Sequence, residues 1–463
     1  MNLLADFLNS PYFNKKKIIV DFFNYIRKFH PKFNDQELNK KCIHSILFGS
    51  EPFKDEKINI LIRELTNHCI HFLTLQEIDK SDLDRDKLYL NALGKRNLDE
   101  LFFKLGNRMK TSLESLMYKG RDYHKDMLLL LHQLFFQPPP SDYPRPNEDI
   151  HKIMEYLDTF FVLSKLWYSA ELYARKIILN EKADILLLEE VKQMASRITS
   201  IPLISLYSSI IKFQEQRDFQ LSELKVLFES FKAQQRYISK NEQKNLVRHL
   251  INLAYWKMNF SKDYSFTEII FELFEYGLEK DLFLVNGRIL DITFTNIAVI
   301  GSILNKFEWV EIFIKSYQKH LKSDIQHNAV LLSRCYLFFH KKLYTEVDAL
   351  LKDVKFVNKP YAFRARTLKI RSQFEMYLGD PTYYRTLLSS LDAFRRNLYR
   401  ESDINANRKE AYRKFISILR ELLNAHFKGE LDAKRIHKIK ERIRNNEAII
   451  AIQWLQKKVE ELE

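Results

Sequence analysis

Glycine is nearly missing from this chain: nine occur among 463 residues, against roughly 7% in ordinary proteins. Tight β-hairpins and phosphate-cradling loops both consume glycine. A β-sandwich, a dinucleotide-binding sheet and a P-loop enzyme are therefore disfavoured, and neither GxGxxG nor GxxxxGK[ST] occurs. Proline is scarce too, at 11, and five of these lie within 135–149. Three cysteines, Cys42, Cys69 and Cys335, are too few for a disulfide framework. No apolar run approaches the ~20 residues that span a bilayer. The basic cluster near the start follows a short apolar run instead of preceding it, which is not a secretory pattern. These absences leave an all-α protein of a soluble, reducing, cytoplasmic setting, with no membrane association and no cofactor motif.

What is present is charge and apolar bulk. Hydrophobic residues make up 46% of the chain, which is globular composition. The 74 basic and 60 acidic residues leave a formal charge of +14. Such a balance suits a polyanion or an anionic surface. The surplus is nevertheless spread along the chain, with no block of five or six like charges. Abundant Lys, Asn, Ile, Phe and Tyr would also follow from A+T-rich codons alone.

The proline-rich stretch "FFQPPPSDYPRPNED" cannot carry a helix, because proline fixes φ and removes a donor. It marks a boundary: an N-terminal helical domain over 1–136, a linker over 137–149 and a second helical region over 150–463. The second region reads as consecutive helices joined by short polar turns, with apolar residues three and four apart in "TLKIRSQFEMYL". Ile297, Gly301 and Leu304 recur as Leu331, Cys335 and Phe338 at an offset of about 34 positions. A weaker copy follows at Ile370, Phe374 and Tyr377, and a looser one over 154–177. The offset, the small residues Gly301 and Cys335, and the aromatic-bearing segments "NKFEWVEIF", "KKLYTEVDALL" and "GDPTYYRTLL" resemble the tetratricopeptide repeat. That resemblance implies stacked antiparallel helical hairpins forming an α-solenoid. "YLDTFFVLSKLWYSAELYARK" and the closing "IIAIQWLQKKVEEL" are similar to segments of large uncharacterised helical proteins from Bacteroidota, which implies no activity.

Two Cys-x-His units, "KCIH" at 41–44 and "NHCIH" at 67–71, raise the question of a metal. On a helix the two residues of each unit point about 200° apart. Cys69 falls in a stripe with Ile58, Leu61, Ile62, Leu65 and Phe72, and Cys42 falls with Leu38 and Ile46. Both cysteines are expected to pack as small hydrophobes, and no metal site is read here, since zinc needs three or four ligands.

The same region resembles the helix-turn-helix part (17–75) of the winged domain in bacterial transcriptional activators that carry tetratricopeptide arrays. The resemblance implies DNA reading by Asn59, Arg63, Thr66 and Asn67, aided by Lys54 and Lys57. Ile60 and Ile70 share that face and predict burial against another helix. The segment after Leu75 is too polar and helical for a wing. Near the C-terminus Lys409, Arg413 and Arg420 share one helix face, and Arg435, Lys438 and Arg442 share the next. Together they form a candidate face for a polyanion or acidic partner, with Glu410, Glu421 and Glu441 interleaved.

No HExxH, HxxxH or GxSxG occurs, and the 13 histidines are scattered. No catalytic residue is assigned. The last segment, "NNEAIIAIQWLQKKVEELE", predicts a buried capping helix or a dimer contact through Ile449, Ile452, Trp454 and Leu455, with Lys457, Lys458, Glu460 and Glu461 in solvent. The expectation is a non-catalytic helical-repeat scaffold whose concave surface takes a protein or peptide partner. The alternative is a DNA-binding regulator with a helical sensor region.

Overall fold

The computed structural model describes every residue except 34–35, 138–146, 180–183, 353, 355, 357–358, 402–403, 405 and 446–448. Helices dominate, from Asn2–Asn9 to Ile452–Glu461. Among the described residues the only sheet is a two-residue ladder in which Leu284 pairs Ile289 and Val285 pairs Arg288. Its turn is Asn286-Gly287, with φ of 51° and 74°, the left-handed pair that a tight hairpin requires. The scarcity of glycine elsewhere had hidden this small hairpin.

The chain divides into two compact units, Met1–Leu116 with Lys125–Leu157 and Met117–His124 with Asp158–Glu463. Most of the expected linker at 137–149 lies outside the described residues. The division at Leu157 falls within a 33-residue helix, Asn147–Leu179. The looser repeat copy expected at 154–177 is thus one uninterrupted helix with no hairpin turn.

In the first unit, Leu8, Ile19, Phe22, Ile43, Ile58 and Leu61 form one apolar cluster. Asn39 starts the Lys40–Phe48 helix by accepting from the Cys42 N–H at 2.9 Å, and Ser81 does the same for Asp82–Gly94. The long Asp55–Lys80 helix buries Ile58, Leu61 and Leu65.

The second unit is built of consecutive helix pairs. Asp291–Ile303 packs on Phe307–Tyr317 and on Ser323–His340. Ser323–His340 in turn packs on Tyr344–Leu350 and Lys359–Gly379. Pro202–Gln216 has the same relation to Leu221–Gln234 and Lys240–Phe260. Several of these helices end in one recurring turn. The Lys306 N–H donates to the Gly301 carbonyl, the Leu343 N–H to Phe338 and the Glu430 N–H to Ala425, each at 2.9 Å. The residue before each donor, Asn305, Lys342 and Gly429, is left-handed. This is the Schellman closure, which satisfies carbonyls the helix end leaves bare.

The turns correct the repeat register. Aligned on Asn305 and Lys342, Gly301 corresponds to Phe338, and Cys335 corresponds to Ala298, both of the latter fully buried. The sequence offset of Gly301 to Cys335 is therefore three residues short, nearly one helical turn. Apolar spacing of three and four is nearly unchanged by such a slip, so side-chain pattern alone does not fix it. Gly301 is still a close-approach site: a Cβ there would meet Val310 Cγ2 at 2.6 Å and Phe271 Cε2 at 3.4 Å.

Candidate functional site

Ser323–His340 buries Ala329, Leu332, Ser333, Cys335, Leu337 and Phe339 on its packed faces. Burial pushes the Cys335 thiol up to about 12, so it is a packing residue and not a nucleophile. The remaining face lies open. Along it Ser323, Gln326, His327, Val330, Leu331, Arg334 and Phe338 line a groove of about 520 Å³. Gln318 closes one side from the short turn Gln318–His320, and Leu350 the other from the end of Tyr344–Leu350. That last helix has only seven residues.

The floor is apolar and half-buried at Val330, Leu331 and Phe338. Among the described residues no carboxylate lines the groove. Arg334 is exposed and has no hydrogen-bond or ion-pair partner among the described residues. Of the expected repeat residues, Ile297, Gly301 and Cys335 are buried, while Leu304, Leu331 and Phe338 are half-buried. Leu331 and Phe338 thus belong to the groove as well as to the packing. Sequence reading missed Arg334, although its fall at i+4 from Val330 and i+3 from Leu331 carried the signal.

A second groove, about 350 Å³, lies between Phe266–Glu279 and Phe307–Tyr317. Trp309, Phe313 and Tyr317 form its wall as a stacked ladder, with centroids 5.6 and 5.2 Å apart. Ile312 stands 67% exposed beside it. Its charged lining among the described residues is Glu275 and Glu279, and Glu279 accepts from Lys280 at 2.8 Å.

The C-terminal basic face is largely neutralised within the chain. Arg420 meets Asp392 at 2.5 Å, Arg435 meets Glu430 at 3.0 Å, and Arg442 pairs with Glu421. Arg413 sits 3.4 Å from Glu410, and Lys409 donates to the Glu401 carbonyl at 2.9 Å. Lys438 is exposed. Ile436, Ile439 and Ile443 are buried, as their spacing predicts.

The final helix is shorter than expected, Ile452–Glu461, and begins after a left-handed Ala451. Ala448 lies outside the described residues. Trp454 and Leu455 are buried within the chain, so neither is available as a dimer contact. Lys458, expected in solvent, is 6% exposed. It donates to Glu375 at 2.8 Å, and Trp454 Nε1 donates to the same carboxylate at 2.7 Å. Arg371 lies over the Phe339 ring at 4.2 Å and over Trp454 at 5.3 Å, and burial lowers it to about 10.

In the first unit, Asn59, Arg63, Thr66 and Asn67 are all exposed. Ile60 and Ile70 are exposed as well, at 37% and 58%, against the expected burial. The helix continues past Leu75 to Lys80, and Asp82–Gly94 follows, where a wing would place a β-hairpin. The expected inward faces also need correction. Ile62 and Ile46 are exposed, whereas Ile43 and His44 are buried. Cys42 and Cys69 are half-buried and free, and burial raises the Cys69 thiol. His68 and His71 sit edge-on to Phe7. Among the described residues no group of three or more His, Cys, Asp or Glu is placed to hold a metal ion, and no helix is long and apolar enough to cross a membrane.

Compared with protein-family models, with curated proteins and with solved structures, the chain has no match.

Proposed function

We propose that this chain is a non-catalytic helical-repeat scaffold, a degenerate tetratricopeptide-like solenoid, that binds a protein or peptide partner in a groove of its second unit. The observation that carries the reading is the open face of Ser323–His340: half-buried apolar residues and unpaired polar ones lie along one stripe. Such a stripe suits an extended or helical segment, with apolar contacts supplying affinity and polar groups fixing register. The consecutive packing of helix pairs and their recurring left-handed closure support a repeat architecture, since each pair then needs its neighbour to cover its apolar face.

DNA reading by Asn59, Arg63, Thr66 and Asn67 ranks second. The exposure of all four residues favours it, and the helical continuation after Leu75 disfavours it.

The test is a pull-down of the tagged full-length chain from its host lysate, with and without nuclease, using a photoreactive amino acid at Gln326. A protein crosslinked at that position and retained after nuclease supports the scaffold. Retained DNA that nuclease removes, and that Arg63→Ala abolishes, supports the regulator instead.

A further inference from the structure

We infer that the groove on Ser323–His340 selects a short extended peptide segment that pairs an acidic side chain with a large aliphatic or aromatic one. This inference rests on the scaffold reading and names the chemistry of its partner. Among the described residues the groove carries one guanidinium and one imidazole, from Arg334 and His327, and no carboxylate. Arg334 has no partner among the described residues to satisfy its donors, and neither does the Gln326 amide, about two turns earlier on the same helix.

Arg334 is exposed and lies on the same helix face as half-buried Leu331 and Phe338, so it offers a carboxylate a surface charge whose pull weakens with salt. The planar fork of the guanidinium also holds a carboxylate in two parallel hydrogen bonds, which fixes orientation. The apolar floor then requires a large side chain next to that carboxylate. A basic segment would meet Arg334 with no compensating acid. A nucleic acid backbone would meet one cation where binding normally draws on several, over a floor unsuited to phosphate.

The stripe from Ser323 to Phe338 is about 22 Å long at 1.5 Å per residue. An extended strand covers that length in about six or seven residues. A linear motif of that length is therefore enough to occupy the stripe.

The experiment displays a random library of linear eight-residue peptides to the full-length chain. One enriched peptide is then measured, fluorescein-labelled, against the wild type and two variants, Arg334→Glu and Leu350→Glu. Enrichment of Asp or Glu within two positions of Leu, Ile, Phe or Met is expected. Binding should weaken roughly tenfold or more in Arg334→Glu, and partly return when the peptide's acid is changed to lysine. Leu350→Glu should weaken the same peptide from the other wall, and thermal melts of both variants should match the wild type.

Enriched peptides that bind both folded variants as tightly as the wild type would overturn this inference and leave the scaffold reading standing. So would enrichment without acidic residues. Failure to enrich any peptide also overturns it, and the lysate pull-down then judges the scaffold separately. Tight binding of a duplex DNA probe that Arg334→Glu removes would replace the carboxylate by phosphate.

Discussion

The two grooves of the second unit use the same kind of floor and opposite charges. One places Arg334 among Val330, Leu331 and Phe338 with no acid among its described lining. The other places Glu275 and Glu279 beside Trp309, Phe313 and Tyr317, with Glu279 already paired to Lys280 at 2.8 Å. The helix Phe307–Tyr317 walls the second, and the turn that directly follows it, at Gln318, closes the first. Apolar area therefore cannot distinguish what the two would bind. Charge can, because electrostatic complementarity governs selectivity more than it governs bulk affinity.

The strongest way to break the comparison is to disrupt the hairpin that walls one groove and packs against the helix of the other. Gly301→Leu drives a side chain into Val310, where even a Cβ would lie 2.6 Å from Cγ2. Overpacking of this kind costs about 3 kcal/mol. A fall in the denaturation midpoint, together with loss of ligand binding at both grooves, is expected. Gly301→Ala should lose less, since the neighbouring contact is a side-chain methyl group that can shift.

Acidification looks like a convenient probe of whether a groove needs a carboxylate, but the fold responds first. His249 is 2% exposed, and burial, reinforced by Arg248, lowers it to about 3 from its ordinary 6.5. Below pH 6.5 the unfolded chain takes up a proton that the folded chain refuses. Stability is therefore full above pH 6.5 and falls as the pH drops towards 3. By pH 5 the loss from this one group is about 2 kcal/mol. His340, also lowered to about 3 by burial, acts in the same direction. Denaturant midpoints at pH 7.5, 6 and 5 should show the slope, and His249→Gln should flatten it whatever its effect at pH 7.5. Charge reversal, and not pH, is the clean test of groove chemistry.

Which of these features the sequence carried depends on how local each one is. Helices follow from spacing within a few residues, so the all-α class was legible from scarce glycine and from segments such as 367–378. The hairpin register was not. A slip of three residues, nearly one turn, keeps Leu331, Cys335 and Phe338 at helical spacing, and only the backbone at Asn305 and Lys342 tells the two alignments apart. The burial of Lys458 depends on Glu375, remote in sequence, so no local pattern announces it. In the nine-residue helix Lys40–Phe48, two stripes look equally apolar, and Ile43 with His44 took the place expected for Cys42 with Ile46. The groove depends on absence: Tyr344–Leu350 is too short to cover the face that Ser323–His340 exposes.

A gentler test sharpens the comparison by converting one groove towards the other. Glu275→Lys with Glu279→Lys gives the aromatic groove a positive lining. Both residues are on the surface, and changes there usually move stability by less than about 0.5 kcal/mol. A peptide selected by the Arg334 groove should then gain a second, weaker site, read as a stoichiometry above one by titration calorimetry. If the stoichiometry is unchanged, shape and not charge separates the grooves.

The smallest effect is expected at the basic face near the C-terminus, the region whose charge pattern stood out most in the sequence. Arg420 is already engaged by Asp392 at 2.5 Å, and each side chain is 34% exposed. Exposed ion pairs contribute about 0–1 kcal/mol. Arg420→Gln and Lys438→Gln should each shift the thermal midpoint marginally and leave the affinity of an acidic peptide within about twofold. Arg334 differs from both in a specific way: unlike Arg420 it has no internal acid, and unlike Lys438 it presents a planar fork over an apolar floor. A binding loss at Arg420 or Lys438 equal to that at Arg334 would show that net charge alone holds the ligand, and the same loss would then vanish in high salt.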